Sequence, residues 1–156
     1  MSDPLDTVRT LDATFASTAK AVQDVVAKLD EAERERALLS LVSAYSLAQE
    51  MWIFKADPAR PAFTDWMAHG RKTAGDSPWT VYLTTPVSPR HSYRVRGNLG
   101  DAAYFGMQLY RQVQGFNAPS AQLAQDRLVV DSGGDFEIVV SRERPEGVAN
   151  WLFAAT

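Results

Sequence analysis

A chain of 156 residues with 46% hydrophobic residues has the length of one domain and enough apolar material for its own core. Cysteine is absent, which excludes thiol nucleophiles, disulfides, iron–sulfur ligation and cysteine-based zinc sites. The formal net charge is −3, and this mild acidity disfavours nucleic acid as a partner because nucleic-acid binders carry a basic excess. The first residues lack the pattern of a secretory leader, and no apolar run approaches the roughly 20 residues of a membrane span. We therefore expect a cytoplasmic protein that does not associate with membranes.

Two helices are predicted at the N-terminus. Apolar residues recur in steps of three and four from Leu5 to Leu29, which places them on one stripe of a helix. Asp30 and Glu33 have the spacing of a capping box, so a second helix is expected to follow and to continue to about Lys55. Its expected buried side carries Leu38, Leu41, Val42, Tyr45, Ala48, Gln49 and Trp52. The short link predicts an antiparallel helical hairpin over residues 1–56.

A long connection follows. Pro58 disfavours helical geometry at the residue before it, so the second helix must end there. Residues 57–78 contain three prolines and two glycines, which indicates a connecting loop, with one helical turn expected from Phe63 to His69.

The remaining sequence has the period of two that is typical of strands. Five strands are predicted at residues 79–84, 91–96, 102–111, 128–130 and 136–141, with a last apolar piece at 148–154. Between the third and fourth strands we expect a loop around Gly115 and a short helix over residues 120–127. The resulting fold class is α+β: one domain, 1–156, in which the helical hairpin packs on an antiparallel β-meander or sandwich-like sheet formed by residues 79–156.

Several blocks between Lys72 and Leu152 resemble the family called domain of unknown function 1214. They are KTAGDSP at 72–78, Tyr82, YRVRGNLGDAAY at 93–104, GDFEIVVS at 134–141 and NWL at 150–152. The resemblance implies sandwich or jelly-roll-like sheets, as in the sister family numbered 1254, and it brings no catalytic residues. In those relatives further sheet follows the last block, whereas this sequence ends at Thr156. Either this is a minimal form, or a neighbour covers the gap, and we then expect an intermolecular contact within residues 128–153.

The polar face of the predicted sheet contains the candidate ligand site. Alternation places Arg94 and Arg96 opposite Tyr93 and Val95, and arginine binds carboxylate, phosphate or sulfate groups through paired hydrogen bonds. Side chains expected to surround the two arginines are Tyr82, Tyr104, Gln108, Tyr110 and Glu137. The other interpretation is an ordinary solvated sheet face with cross-strand pairs.

No catalytic residue is assigned. The two histidines, His69 and His91, are expected at the surface or in loops, although Asp65 and Asp76 lie near His69 in sequence. We expect no metal and no cofactor. The four tryptophans are interpreted as packing residues, while Trp66, Trp151 and Phe153 are the candidates for an interface.

Two functions follow from these patterns. The first is a small non-enzymatic binding or assembly domain that acts as a homo-oligomer or with a partner protein. The second is an enzyme or binding protein for a small anionic metabolite, which would use the face around Arg94 and Arg96.

Overall fold

The computed structural model describes residues 3–67, 77 and 79–155. The chain divides into two compact units, residues 1–86 (unit 1) and residues 87–156 (unit 2). Two N-terminal helices precede small antiparallel and mixed sheets, so the predicted α+β class is confirmed. The single domain and the packing of the helices on the sheet stay predictions.

Unit 1 opens with the predicted pair of helices. Helix α1 spans Pro4–Val26, and α2 spans Glu31–Gln49 and continues through a π-helical turn, Glu50–Phe54. The Asp30 carboxylate accepts a hydrogen bond from the backbone N–H of Glu33 at 2.9 Å, which confirms Asp30 as the N-cap of α2. Helix α1 ends at Val26, three residues before the expected end.

A polar and an aromatic contact join the two helices. The Tyr45 hydroxyl donates to Asp12 Oδ1 at 2.6 Å, and the Tyr45 and Phe15 ring centroids lie 4.0 Å apart. The hydrogen bond to the Asp12 carboxylate is the main reason that the pKa of Tyr45 is raised above its ordinary value of 10.0. Because the pKa of Tyr45 is higher in the folded state than in the unfolded state, this hydrogen bond stabilises the fold fully below pH 10. That stabilisation is lost as the pH rises through the folded-state pKa.

The segment after α2 differs from the prediction. Strand β1 (Thr64–Asp65) pairs with β2 (Leu83–Thr84) in a two-stranded antiparallel sheet. The expected helical turn is therefore wrong at residues 63–65, and its end, with His69, lies outside the described residues. The strand expected at 79–84 is reduced to its last two residues, Leu83 and Thr84, which pair with β1. Trp79 and Val81, which alternate like strand residues, are exposed.

Unit 2 contains two sheets. Strands β4 (Gly106–Val113) and β5 (Phe116–Ala124) form an antiparallel hairpin. The other sheet has the order β3 (Tyr93–Asn98), β6 (Asp135–Ser141) and β7 (Asn150–Phe153), in which β3 is antiparallel and β7 parallel to β6. The expected meander is therefore wrong, since β3 pairs with β6 and not with the next strand along the chain.

Strand β5 occupies the region that was expected to be a loop and a short helix. Gln114 and Gly115 both have positive φ, 51° and 85°, which is the geometry of a tight two-residue hairpin turn. The turn directs the following residues back along β4, and only residues 125–127 form a short 3-10 helix. Residues 128–130, expected to be a strand, are not one. The side chain of Asn150 bonds both backbone groups of Val129 in place of a partner strand.

The core of unit 2 lies between its two sheets. Leu109 and Leu123 of the hairpin pack with Ile138, Val140 and Leu152 of the three-stranded sheet. This arrangement resembles a sandwich, in which the apolar sides of two sheets face each other. Val81 and Leu83 belong to unit 1 and are exposed.

Candidate functional site

The three-stranded sheet has one face on the core and one face directed away from it, which we call the outer face. Val95, Ile138 and Leu152 mark the core side, so the residues between them along each strand lie on the outer face. Register fixes its rows: Arg94 lies opposite Val139, which lies opposite Trp151, while Arg96 lies opposite Glu137 and Ser141 opposite Phe153. Both arginines of the predicted ligand site and both C-terminal residues of the predicted interface therefore share one face.

One carboxylate bridges the two arginines. Arg94 Nε lies 3.2 Å from Glu137 Oε1, and Arg96 Nε lies 2.8 Å from Glu137 Oε2. The arginine side chains remain 60% and 69% exposed, so these pairs contribute at most about 1 kcal/mol each. Each guanidinium has five N–H donors. Arg96 donates its Nε–H to Glu137, whereas Arg94 forms an ion pair with the same carboxylate. The cluster keeps one excess positive charge and donors that point away from Glu137.

The aromatic end of the outer face is fixed to the sheet. Trp151 Nε1 donates to the hydroxyl of buried Ser141 at 3.0 Å, and the Trp151 and Phe153 rings lie 6.0 Å apart. Phe153 itself is exposed. Trp151 is therefore a held, half-buried residue, and Phe153 is the accessible one of the two.

Within unit 2, Tyr104 and Gln108 are not brought to this face. Tyr104 and Gln108 lie beside and within β4 in the second sheet, where Gln108 accepts a hydrogen bond from the Tyr110 hydroxyl at 2.7 Å. Tyr82 and Trp66 belong to unit 1, where the backbone N–H of Trp66 donates to the Tyr82 carbonyl at 2.8 Å. Of the predicted ligand-site residues that belong to unit 2, the structure brings together Arg94, Arg96 and Glu137. The error came from assuming that β3 pairs with β4.

No catalytic arrangement is seen in the part of the chain that the structure describes. His91 is exposed, and its ring lies 6.2 Å from that of Tyr93 in an edge-on contact. His69 and Asp76 lie outside the described residues. Among the described residues no group of three His, Asp or Glu side chains is placed to hold a metal ion.

Beside Arg96 lies an open depression of about 820 Å³. Its charged lining consists of Arg96 against Asp131, Asp135 and Glu137, so a small anion would meet more negative than positive groups. Asp131 caps its own turn, because its Oδ1 accepts from the backbone N–H groups of Gly133 and Asp135 at 2.8 and 2.9 Å. The depression therefore argues against a small-anion pocket.

The helical pair of unit 1 exposes apolar side chains on two sides. An open groove of about 590 Å³ between α1 and α2 has no charged residue in its lining. Leu39 and Val42, 60% and 56% exposed, lie on the side of α2 away from Leu41, which lines the groove. Leu38, Val42 and Trp52 were expected on the buried side, and that expectation is wrong, because all three are exposed.

Helix α2 and its π-helical extension also have an unusual composition. Residues 37–48 contain no charged side chain, and the helix Glu31–Phe54 is long and apolar enough to cross a membrane by those two criteria. Helices buried inside soluble proteins meet the same criteria, and a helix that is apolar on several sides is characteristically covered on several sides.

Comparison with known proteins gives a fold and no activity. No family model and no curated protein matches the chain. A solved structure of an uncharacterised protein from Burkholderia cenocepacia is similar, with a TM-score of 0.79 and 26% identity over 93% of this chain. The match covers 42% of that protein, so the chain spans less than half of its length. The resemblance to the family of domain of unknown function 1214 stays a prediction.

Proposed function

We propose that this protein is a small non-enzymatic assembly domain that associates with a second copy of itself through α2, in the cytoplasm. The observation that carries the proposal is the apolar surface formed by Leu38, Leu39 and Val42, which we call the α2 surface. Full burial of one such side chain contributes about 1.5 to 3 kcal/mol, so covering this surface on two copies is strongly favourable.

Symmetry gives the form of this contact. Two copies related by a two-fold axis would present the same surface to each other, so that each α2 covers the other. Two helical hairpins joined in this way form a four-helix bundle, which buries the apolar sides that one hairpin leaves exposed. The uncharged side chains of residues 37–48 are what the centre of such a bundle requires.

Light scattering coupled to size exclusion measures this association. We expect a molar mass above the 17.2 kDa of one chain, and we expect Leu39→Glu/Val42→Glu to return it to one chain because two carboxylates cannot be buried there. The matched control is Ala13→Glu/Ser16→Glu, at exposed positions on the polar side of α1, which should keep the larger mass. A wild-type protein that stays at the mass of one chain at every concentration would contradict the proposal.

The C-terminal strand offers a second surface for assembly. Phe153 is exposed on β7, and no described residue pairs with the edge of β7 that faces away from β6. This supports the expected contact within residues 128–153, in which a neighbouring strand would extend the sheet. Removing the C-terminus is not a usable test, because Leu152 and Ala154 are buried in the core.

Binding of a small anionic metabolite is the second candidate function. The single carboxylate of Glu137 contacts both guanidiniums, which shows that they lie close together. One phosphate, sulfate or carboxylate group of a ligand could therefore contact both arginines at once. Saturating ligand at about 100 times its dissociation constant should add about 2.7 kcal/mol of stability. A thermal-shift panel of these anions checks this, with Arg94→Ala/Arg96→Ala as the variant that should lose the shift. No shift with any anion, or the same shift in the variant, would contradict it.

A further inference from the structure

We propose that the open edge of β3 binds an extended peptide segment of a partner protein, in which acidic and apolar residues alternate. The segment would add a strand to the sheet, with two carboxylates placed beside Arg94 and Arg96. This surface is distinct from the α2 surface, and the proposal does not depend on self-association.

The backbone of β3 defines this edge. The N–H of Leu99 donates to the carbonyl of Gly134 at 3.0 Å, which identifies Leu99 as a residue whose backbone groups face β6. Because hydrogen-bonded positions alternate along a strand, the backbone N–H and C=O groups of Gly97, Val95 and Tyr93 also point toward β6. The N–H and C=O groups of Arg94 and Arg96 therefore point away from the sheet, toward the open edge.

The far side of β6 agrees with this assignment. The backbone carbonyl of Ser141 accepts from Ala154 N–H at 3.0 Å, and the backbone carbonyl of Glu137 accepts from the Asn150 side chain at 3.0 Å. The backbone groups of these odd-numbered residues of β6 therefore face β7. The backbone groups of the even-numbered residues of β6 must then face β3. In the described part of the chain no residue pairs with the open edge of β3, which is left as a template for another strand.

The positive charges of Arg94 and Arg96 favour an added strand that carries acidic side chains. Residues directly opposite on neighbouring strands have Cβ atoms about 5 Å apart, so carboxylates two residues apart on an added strand would lie beside Arg94 and Arg96. Glu137 approaches the arginines from β6, on the side away from the edge, and it leaves the edge itself clear. The residue between the two carboxylates would lie on the same face as Val95, which packs on the core, and an apolar side chain suits that place.

The edge of β7 lacks these features. Its four residues, Asn150–Phe153, carry no charge, so nothing there discriminates between acidic and basic partners. The edge of β3 therefore has a charge pattern that the edge of β7 lacks.

Fluorescence anisotropy with labelled synthetic peptides tests the proposal. The probe alternates glutamate and valine over the length of β3, and the comparison peptide has lysine in place of glutamate. We expect the glutamate peptide to bind at least about tenfold more tightly, because two charge-assisted contacts are gained. A third peptide, N-methylated on the glutamates, has lost the backbone donors of strand pairing and should bind at least about tenfold more weakly.

Three variants connect the binding to the edge. Arg94→Glu/Arg96→Glu should reverse the preference in favour of the lysine peptide, whereas Arg111→Glu/Arg142→Glu, with the same change in net charge at exposed positions elsewhere, should not. Glu137→Gln should tighten binding of the glutamate peptide severalfold, because it removes the carboxylate that competes for the arginines. A purely structural role of the arginines gives no such gain.

Equal affinity for the glutamate and lysine peptides would overturn the proposal, and so would binding that is indifferent to N-methylation. In that case the arginines serve only to keep other strands from pairing with this edge. The measurements are made in the Leu39→Glu/Val42→Glu background as well as in the wild type. A failure of edge binding is thereby distinguished from a failure of the α2 surface.

Discussion

Replacing Asn150 by alanine is expected to lower the free energy of unfolding of unit 2 by about 3 kcal/mol. The Asn150 carboxamide is 3% exposed, accepts from Val129 N–H at 2.7 Å, and donates to the carbonyls of Val129 and Glu137 at 2.7 and 3.0 Å. Alanine removes all three bonds and leaves both backbone groups of Val129 without their partner. Three hydrogen bonds at about 1 kcal/mol each account for the expected loss.

Urea unfolding followed by circular dichroism measures this loss. The matched control is Asn117→Ala, whose side chain is exposed and bonds only to exposed Gln112, so a change within about 0.5 kcal/mol is expected. Asn150→Asp keeps an acceptor for Val129 N–H but places a carboxylate against two carbonyls, and it should destabilise about as much as alanine. If Asn150→Ala unfolds like the control, the position of the 128–130 segment described above is incorrect.

Gly97→Ala is the second substitution with a large expected effect, about 2 kcal/mol of destabilisation. Gly97 lies directly opposite Phe136, and a Cβ added to Gly97 would come within 2.6 Å of Phe136 Cζ. The Phe136 ring cannot simply move away, because its centroid lies 4.7 Å from that of Phe105 within the core. The glycine is therefore required by the ring across the strand pair and not by its own backbone conformation.

Gly106→Ala is the matched control, since Gly106 is also a strand glycine next to an aromatic ring. Its added Cβ would lie 3.0 Å from the Tyr104 hydroxyl, but Tyr104 is exposed and can turn into solvent. We expect a small change there, and we expect Gly97→Ala/Phe136→Leu to be less destabilised than the sum of its single substitutions. Equal effects of the two glycine substitutions in the same unfolding assay would contradict the proposed contact.

Local signals in the sequence were sufficient for several elements. The Asp30 cap is a contact within one turn, and the alternation around Arg94 and Arg96 shows directly which side chains share a face. Glu137 meets both arginines, as expected, although it lies 41 residues after Arg96. The cap and the alternation depend on local chemistry and can be inferred from short segments, whereas the contact of Glu137 also depends on the pairing of β3 with β6.

Strand order could not be inferred in this way. A meander is the simplest order, because each strand pairs with its neighbour in sequence, but β3 pairs with β6 across an intervening hairpin. The sequence does not show that hairpin, because its turn needs positive φ at Gln114 as well as at Gly115, and glutamine is not a residue typical of that conformation. Because β4 belongs to the other sheet, Tyr104 and Gln108 do not lie beside Arg94 and Arg96.

The exposed side of α2 was also beyond a sequence argument. A period of 3.6 identifies a buried side only when the opposite side is polar, and residues 37–48 carry apolar side chains around the helix. Leu41 faces the groove beside α1, while Leu39 and Val42, equally apolar, face outward. Only the three-dimensional arrangement separates the side that α1 covers from the side that we assign to a second copy.

Crosslinking at defined positions tests the assembly through α2 most directly. A photoreactive residue is placed at Leu39 on the α2 surface, at Phe153 on β7, or at exposed Arg142 as the control, and the purified protein is irradiated. We expect covalent dimers from position 39, with the linked residue of the second copy also on α2, and none from position 142. Dimers from position 153 would add the C-terminal contact. An absence of dimers from position 39, or a yield no greater than at position 142, would contradict assembly through α2.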